Sequence, residues 1–504
     1  MDGILFFLVV LIHGFLLFAL FGYGINFYYL AYLAWRHNKP DPELPALQEL
    51  PYVTVQLPLY NELYVAERLI DAVARLEWDP DKLEIQALDD STDETRELVA
   101  RAVERWRAHG VNITHIHRTQ REGFKAGALA NGLKIGRGEF IAHFDSDFMP
   151  APDFLKRTVP FLVTNPKLAF VQARWGHVNR EYSLLTFLQS LAIDAHFMVE
   201  QFARSRGGYW FNFNGTAGVW RRTAILDAGG WKQDTLTEDL DLSYRAFLKG
   251  WKALYLRDTV AVAELPVTFN AYRRQQHRWS KGSLECALRL LPQVWRAHEP
   301  LPVKMESTFH LTGYGIHLLM FGLILDFPLI LYFSQRFPDV LVLFGVGALF
   351  NLTALAPTMY FALAQKQLGD KWWQRIPAIV LIMALGAGMI MTTVNGFLQI
   401  IARRNTSFER TPKFGIATRQ QKWLGRHYQL HLDPIVICEI FTGIWVAATF
   451  AYAVYLREWI ITFYSGIFLM GILFVTGMTI AQNLAVRSYQ KKLSETRIVG
   501  DATA

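Results

Sequence analysis

The chain changes along its length between apolar and polar segments, and this change most constrains its fold. A long apolar, aromatic-rich run extends from Ile4 to about Trp35, and apolar runs return from about residue 305 onward. Runs of this length can cross a bilayer as helices. Between them lies a polar stretch, about residues 52–290, that has the composition of a soluble domain. The sequence of 504 residues therefore predicts one soluble domain flanked by membrane helices.

Positive charge marks the expected cytoplasmic side of the membrane. The net charge is +7, and basic residues cluster beside apolar runs, as at Arg403-Arg404 and Lys491-Lys492. This is the pattern of the positive-inside rule, whereas nucleic-acid binding would require a basic face on the soluble domain. With only Cys286 and Cys438, a disulfide framework or a cysteine-based zinc site is excluded. We expect a lipid bilayer as a partner, no nucleic acid, and a domain in a reducing cytoplasm.

The polar region has the pattern of an α/β domain. Short apolar runs alternate with helical patterns, which predicts a mostly parallel sheet with helices on both faces. The runs are Val53–Leu57, Ile85–Leu88, Ile113–His117 and Phe140–Phe144, and the helical patterns include Glu62–Leu76 and Thr95–His109. In such sheets ligands lie beyond the carboxyl ends of the strands.

Charge also predicts how the later apolar runs are arranged. The candidate spans are 307–333, 340–364, 376–401, 434–456 and 460–484. The basic segments are 365–375, 402–433 and 485–497. If 376–401 crossed fully, 402–433 would lie outside, against the positive-inside rule. We therefore expect 376–401 to bend back near Gly386–Gly388, or to lie partly in the interface over Thr393–Arg404. This leaves five crossings, with the N-terminus outside and the C-terminus inside.

Two acidic motifs follow predicted strands. Asp89-Asp90 follows the second strand and favours nucleotide binding, although an Asx turn is the alternative. Asp145-Ser146-Asp147 ends the run Phe140–Phe144. Alternation in an extended segment points both Asp side chains the same way. Two such carboxylates can share Mg²⁺ or Mn²⁺ with phosphate oxygens, so the motif predicts a metal site at Asp145 and Asp147.

Other polar residues in the same region suit a nucleotide. Tyr60 could stack on a base and Glu62 could accept a hydrogen bond from it, although an N-cap with acidic residues is equally compatible. Lys125 lies among small residues that allow a phosphate to approach, and a solvated helix lysine is the alternative.

Two later motifs suit the acceptor and the leaving group. Thr237-Glu238-Asp239 precedes a helical pattern, and Asp239 could act as a general base, unless both acids only meet the helix dipole. In Gln275–Trp279, helical spacing places Gln275, Arg278 and Trp279 on one face. Arg278 could neutralise a diphosphate and Trp279 could cover a sugar. A basic interfacial helix is the alternative.

Taken together, these four motifs resemble the D, DxD, TED and QxxRW signature of processive family 2 glycosyltransferases, which include cellulose, chitin and hyaluronan synthases. Five stretches, two of which include motifs of this signature, resemble more closely the plant cellulose-synthase-like A and C groups, which make β-1,4-mannan, glucomannan or glucan backbones. These stretches are Leu88–Asp93, Val171–Trp175, Phe213–Gly218, Glu264–Pro266 and Gln275–Trp279. The resemblance covers residues 50–290 well and the flanking helices mainly in layout.

The resemblance implies an α/β GT-A domain, a Rossmann-like mixed sheet, in the cytosol, joined to an all-α transmembrane domain with interfacial helices. It also implies an inverting mechanism and a channel for the product. The implied donor-binding residues are Tyr60, Glu62, Asp89, Asp90, Lys125, Asp145, Asp147, Gln275 and Arg278, with Asp239 as the base. The implied acceptor contacts are Phe213, Asn214, Gly215, Glu238 and Trp279. A loop that closes over the donor is implied at Thr406–Lys413, through Phe408, Arg410, Thr411 and Lys413.

These inferences define the expected domains and activity. The domains are an N-terminal transmembrane helix (1–38), the GT-A domain (50–290), an interfacial helix with two membrane helices (291–375), a re-entrant or interfacial helix with the gating loop (376–433), two membrane helices (434–486) and a cytosolic tail (487–504). We expect polymerisation and export of a β-1,4-linked hexan from UDP- or GDP-hexose onto a growing polysaccharide, with Mg²⁺ or Mn²⁺. The location would be the plasma or inner membrane, or the Golgi in a eukaryote. The alternatives are a ceramide or polyprenyl-phosphate glycosyltransferase and an inactive transporter or scaffold. The sugar, the linkage and the oligomeric state stay open.

Overall fold

The structure, a computed structural model, describes residues 2–337, 351–404, 409–430 and 432–501. Within these residues the polar region forms an eight-stranded mixed sheet. Its strands are β1 (Val53–Leu59), β2 (Leu83–Asp89), β3 (Ile113–His117), β4 (Phe140–His143), β5 (Met149–Pro150), β6 (Leu168–His177), β7 (Gly218–Arg221) and β8 (Lys252–Ala263). The four strands predicted from the sequence correspond to β1 to β4.

The strands are ordered β3–β2–β1–β4–β7–β6–β8–β5 across the sheet. Pairing is parallel from β3 to β4 and between β6 and β8, whereas β7 runs antiparallel to both of its neighbours and β5 runs antiparallel to β8. The sheet is therefore a GT-A-like mixed sheet, which confirms the predicted fold class. Parallel strands β1, β2 and β4 end at the same edge, so the polar residues that follow them are brought together.

Helices surround the sheet and continue beyond it. Those up to the end of the polar region are α1 (Asp2–Arg36), α2 (Ala66–Val73), α3 (Thr95–Ala108), α4 (Phe124–Ile135), α5 (Phe154–Thr164), α6 (Leu184–Ala195), α7 (Phe202–Gly207), α8 (Arg222–Asp227), α9 (Glu238–Leu248) and α10 (Phe269–Arg296). Those that follow are α11 (Leu301–Leu311), α12 (Gly315–Arg336), α13 (Ala356–Gln367), α14 (Ile376–Gly388), α15 (Ile390–Ile401), α16 (Ile435–Leu456) and α17 (Trp459–Asp501). A π-helix, His196–Gln201, joins α6 to α7.

Separate hydrophobic cores cover the two faces of the sheet. Along β4, Ile141 belongs to one core, while Phe140 and Ala142 belong to the other, as strand alternation requires. The core that contains Ile141 also includes Leu30 of α1 and Leu311 of α11. Helices α1 and α11 are thus part of the apolar core on one face of the sheet.

Five helical segments are long and apolar enough to cross a membrane, among the residues that the structure describes. They are Gly3–Arg36, Gly315–Arg336, Trp372–Ile401, Ile435–Leu456 and Trp459–Lys492. The candidate span 340–364 lies partly outside the described residues, and its described part contains most of α13. The predicted number of crossings therefore stays a prediction.

The segment Trp372–Ile401 is interrupted where the sequence suggested a bend. Helix α14 ends at Gly388 and α15 begins at Ile390. Helix α14 packs against α17 and α6, whereas α15 packs mainly against α10. Since α10 carries the Gln275–Trp279 motif, the second half of this segment contacts the soluble domain. Whether the segment crosses the membrane stays a prediction.

Candidate active site

One cleft opens at the carboxyl ends of five strands. Its walls include the residues that follow β1, β2, β4 and β8, together with the last residues of β6. Its volume is about 1230 Å³, including space open to solvent. The residues named from the sequence that line it are Tyr60, Glu62, Asp90, Lys125, Asp145, Asp147, Asn214, Gly215, Glu238, Asp239, Gln275, Arg278, Trp279, Arg410, Thr411 and Lys413. Residues as far apart in the sequence as Tyr60 and Lys413 thus meet at one site.

Two of the described residues named from the sequence, Asp89 and Phe213, are not part of this lining. Asp89 is fully buried outside the cleft, where its carboxylate accepts hydrogen bonds from His115 and the backbone of Ser91. Phe213 is also fully buried, within an aromatic cluster that includes Trp220. Phe408 lies outside the described residues. We predicted that Asp89 contacts the donor and that Phe213 contacts the acceptor. The positions of these two side chains outside the cleft do not support either contact.

The wall beyond β1 and β2 combines aromatic and charged groups. The Arg121 guanidinium lies 3.4 Å from the centre of the Tyr60 ring. Arg118 makes a two-pronged ion pair with Asp90, with nitrogen–oxygen distances of 2.8 and 2.5 Å. Such paired contacts fix the orientation of a carboxylate. A planar ring and an oriented carboxylate are the groups that can recognise the face and the edge of a nucleotide base.

Lys125 links three acidic residues at the centre of the cleft. Its ammonium lies 2.6 Å from an Asp145 oxygen and 3.5 Å from a Glu238 oxygen, and it donates to the Gly215 carbonyl. Burial disfavours its charge, but the charges of Asp145, Glu238 and Asp239 outweigh burial and raise the pKa of Lys125. Lys125 is therefore a fixed positive charge in the cleft.

The Asp145 and Asp147 carboxylates form the candidate metal site. Both line the cleft and are carboxylate oxygen donors, the type that Mg²⁺ and Mn²⁺ prefer. Burial raises the pKa of Asp145, while Lys125 opposes that shift. The Lys413 ammonium lies 2.7 Å from Asp147. The pair thus fits a hard divalent cation, and two lysines already compensate its negative charge in this structure.

Asp239 lies in the first turn of α9 and faces the cleft. Burial and the adjacent Glu238 charge raise its pKa, while Lys125 lowers it. A carboxylate with a raised pKa is a stronger base than an exposed one. Gly215 has φ +76°, and a Cβ there would lie 3.0 Å from an Asp239 oxygen and 3.3 Å from the Lys125 ammonium. The glycine therefore lets the Asn214–Gly215 backbone approach both groups closely.

Helix α10 presents Gln275, Arg278 and Trp279 to the cleft, as helical spacing predicted. Arg278 is surrounded by carboxylates. Burial lowers its pKa and the charges of Glu238, Asp145 and Asp239 oppose that shift. The Trp279 and Trp175 rings lie 6.5 Å apart, within the range of aromatic contact. The helix thus supplies a positive charge and an aromatic wall.

The segment of residues 410–416 closes another side of the cleft through Arg410, Thr411 and Lys413. Arg410 pairs with Glu62 at 3.1 Å. The carboxylate of Glu264 accepts hydrogen bonds from the backbone amides of Phe414 and Ile416, at 2.8 and 3.0 Å. Glu264 directly follows β8 and therefore attaches this segment to the sheet edge.

Several polar and aromatic lining residues had no role assigned from the sequence. They include Arg121, Trp175, His177 and Glu264. Trp175 and Glu264 belong to stretches quoted for the resemblance, so a role could have been suspected from those motifs. Arg121 lies four residues before Lys125, and that proximity was the available signal.

Comparison with known proteins agrees with this geometry. Residues 51–282 match the family model "Glycosyltransferase like family 2". Glucomannan 4-beta-mannosyltransferase 1 of Oryza sativa subsp. japonica is 50% identical over 260 residues, covering 51% of this chain and 50% of that protein. Glucomannan 4-beta-mannosyltransferase 7 of Arabidopsis thaliana is 42% identical over 316 residues, covering 61% of this chain and 56% of that protein. The chain spans about half the length of the curated relatives it matches.

Solved structures are more distant. A mannosyltransferase from Pyrobaculum calidifontis, solved with GDP-Man and Mn²⁺, is 24% identical with a TM-score of 0.48, covering 72% of this chain and 99% of that one. The family assignment depends instead on the family model and on the sequence relatives. Residues 51–282 of this chain are a glycosyltransferase domain of family 2, as the four motifs indicated.

Proposed function

We propose that the protein is a membrane-embedded, inverting glycosyltransferase that polymerises a β-1,4-linked mannan or glucomannan from a GDP-activated hexose. The observation that carries this proposal is the convergence of the Asp145/Asp147 pair, Asp239 and the Arg278–Trp279 pair on one cleft. A metal-binding pair, a separate base and a cation with an aromatic wall are what such a transfer requires. The choice of sugar derives from the names of the sequence relatives.

The donor would occupy the wall that follows β1, β2 and β4. In this proposal Tyr60, Glu62 and Asp90 contact the nucleoside, and Lys125 contacts the diphosphate. Gln275 and Arg278 would approach the diphosphate from α10. Arg278 is half-buried beside Glu238, Asp145 and Asp239, so its charge would act on the leaving group with reduced screening by water.

Asp145 and Asp147 would hold Mg²⁺ or Mn²⁺. When bound, such a cation neutralises charge on the leaving diphosphate. Lys413 contacts Asp147 from the segment 410–416, so its ammonium would leave or share this carboxylate when the cation binds. Binding of donor and cation would thereby affect the position of this segment, through Arg410, Thr411 and Lys413.

Asp239 would remove the proton from the attacking hydroxyl of the acceptor. Its carboxylate lines the same cleft as the metal pair but belongs to a different element, so the two tasks are assigned to separate groups. Trp279 would cover the terminal sugar, and Asn214, Gly215 and Glu238 would contact its hydroxyls. An attack from the side opposite the leaving diphosphate gives inversion.

The helical segments would embed the protein in a membrane and receive the product. We propose five crossings, the glycosyltransferase domain and the C-terminal tail in the cytosol, and the segment 376–401 on the cytosolic side. The contacts between α15 and α10 support that placement, because they join this segment to the cytosolic domain.

A donor panel tests the proposal. The purified protein in detergent is incubated with Mn²⁺ or Mg²⁺ and with GDP-mannose, GDP-glucose, UDP-glucose or UDP-N-acetylglucosamine. We expect long products from GDP-mannose that an endo-β-1,4-mannanase degrades. Single transfer to an added ceramide or polyprenyl phosphate would instead identify a lipid glycosyltransferase. Absence of transfer and of donor hydrolysis with every sugar would refute the proposed activity.

A further inference from the structure

Two imidazoles and a carboxylate form a cluster outside the catalytic cleft. Asp89 is the last residue of β2, and His115 and His117 lie on the parallel strand β3. The strand register pairs Asp89 with His117 and Ala87 with His115. Because side chains two residues apart in a strand share a face, the three groups lie on one side of the sheet.

The potential ligand atoms in this cluster are close together. The Asp89 Oδ2 atom lies 2.8 Å from His115 Nε2 and 4.0 Å from His117 Nδ1. All three atoms lie within 4.8 Å of one another. Zinc–ligand bonds of about 2.0–2.1 Å place neighbouring ligands of a tetrahedral site about 3.3 Å apart. The distances from Asp89 Oδ2 to the two imidazole nitrogens, 2.8 and 4.0 Å, lie on either side of this value. Small side-chain rotations would therefore bring the three ligand atoms to tetrahedral spacing.

A hydrogen bond between His115 and Asp89 explains why these two side chains lie together, but it does not explain the position of His117. His117 Nδ1 is buried and has no hydrogen-bond partner in the described part of the chain. The Asp89 carboxylate is fully buried, and its ion pairs among the described residues are both to imidazoles. The Ser91 backbone amide donates to Asp89 Oδ1 at 2.8 Å, which leaves Oδ2 directed at the imidazoles.

We propose that Asp89, His115 and His117 bind a divalent transition metal such as Zn²⁺. Two imidazoles and one carboxylate are a donor set that suits Zn²⁺ or Co²⁺, with water as a fourth ligand. Both histidine side chains are about one-fifth exposed, at 18% and 19%, so the cluster lies close to the protein surface. The site differs in chemistry from the all-oxygen pair Asp145/Asp147.

The metal would join the ends of β2 and β3 beside the donor wall. The next residue after Asp89 is Asp90, which lines the cleft, and the next residue after His117 is Arg118, which pairs with Asp90. A metal bridge between Asp89 and His117 would therefore hold the Asp90–Arg118 pair in position. Its role would be structural and independent of the proposed reaction.

The test measures metal binding by the full chain in a variant that lacks the Asp145 and Asp147 carboxylates. This variant is called the background protein. The protein is purified in detergent without a polyhistidine tag, as the Asp145→Asn/Asp147→Asn variant, and stripped with a chelator. We expect one equivalent of Zn²⁺ by elemental analysis after gel filtration, and visible absorption of tetrahedral type with Co²⁺. Adding His115→Gln or His117→Gln should weaken binding at least about tenfold, since a ligand is lost.

Two further variants make the result decisive. His109→Gln is the matched control, because His109 is exposed and its ring bonds only to the Arg105 carbonyl in the described structure. It should bind metal as the background does. His117→Cys replaces one ligand by another and should retain Co²⁺ with a new thiolate charge-transfer band, which separates ligand loss from misfolding. No metal bound by the background protein, or equal binding after His117→Gln, would overturn the proposal.

Discussion

Lys413 and Asp147 form an ion pair of 2.7 Å across 266 residues of sequence. Both side chains are less than one-tenth exposed, at 9% and 8%. The pair joins the segment 410–416 to one of the two carboxylates that suit a divalent cation. An ammonium and a metal ion compete for the same oxygen atoms, so the state of one should affect the other.

We therefore expect Lys413→Met to bind Mn²⁺ more tightly than the parent protein when no donor is present. The gain should be roughly tenfold or more, equivalent to about 1.4 kcal/mol, because the competing buried cation is gone. Titration of purified protein with Mn²⁺, followed by electron paramagnetic resonance of the free ion, measures it. Lys422→Met is the control, since Lys422 is exposed in the same region and does not line the cleft. An unchanged affinity in Lys413→Met would show that the pair does not compete with metal.

Replacement of Asp239 by Asn should remove catalysis and preserve donor binding. Asn has nearly the same shape but cannot accept the proton, and loss of a positioned base costs about 10²–10⁴-fold in rate. Product formation and the affinity for the nucleoside diphosphate are measured on the same preparation. Asp234→Asn provides the comparison, because the ion pair that Asp234 forms within the described residues is an exposed one with Arg289. Polymer synthesis at the parent rate by Asp239→Asn would assign the base to another residue.

The pH dependence of the rate should report the environment of Asp239. A general base works when it is unprotonated, so the rate falls as the pH decreases through its pKa. Burial and the Glu238 charge raise the pKa of Asp239, and Lys125 lowers it. The acidic limb is the part of the pH–rate profile where the rate falls with decreasing pH. Glu238→Gln removes a negative neighbour of Asp239 and should move this limb to lower pH. Lys125→Met removes a positive neighbour and should move it to higher pH.

These opposite shifts are measured at saturating donor, so that a change in donor affinity does not distort the profile. Asp234→Asn should leave the acidic limb unchanged, because Asp234 does not line the cleft. Shifts of the same sign in Glu238→Gln and Lys125→Met would mean that another group controls the limb.

The sequence predicted the parts of the site that depend on local pattern. Strand runs followed by acidic residues placed Asp90, Asp145 and Asp147 at one edge of the sheet, as the structure has them. Helical spacing likewise placed Arg278 and Trp279 together. The choice between Asp89 and Asp90 also had a local signal, since consecutive residues at a strand end point to opposite faces.

Other features depend on contacts between distant segments and had no local signal. The pairing of His117 with Asp89 follows from the register of β2 and β3, which spacing alone does not determine. The attachment of residues 410–416 to Glu264 arises from packing across about 150 residues of sequence. The antiparallel strand β7 was likewise absent from the predicted strands, because it is short and its polar neighbours hide any alternation.

The crossing of α14 and α17 gives a prediction for the helical region. A Cβ at Gly388 would lie 2.3 Å from the Gly471 carbonyl oxygen, and one at Gly471 would lie 2.1 Å from the Ala384 carbonyl oxygen. Backbone atoms at such distances cannot yield without moving a helix, and overpacking typically costs about 1–3 kcal/mol. Gly388→Ala and Gly471→Ala should therefore each lower the thermal unfolding temperature of the purified protein.

Gly386 and Gly477 are matched controls on the same two helices, because a Cβ at either position would meet no atom of another described element within 4 Å. Their replacement by Ala should be neutral or stabilising by about 0.5–1 kcal/mol, as for glycine inside a helix. Equal effects at all four positions would mean that α14 and α17 do not approach through Gly388 and Gly471. Helix α14 leads directly into α15, which packs on α10. A change in the contact between α14 and α17 should therefore also affect the catalytic cleft. We expect Gly388→Ala to reduce the rate of sugar transfer more than Gly386→Ala does.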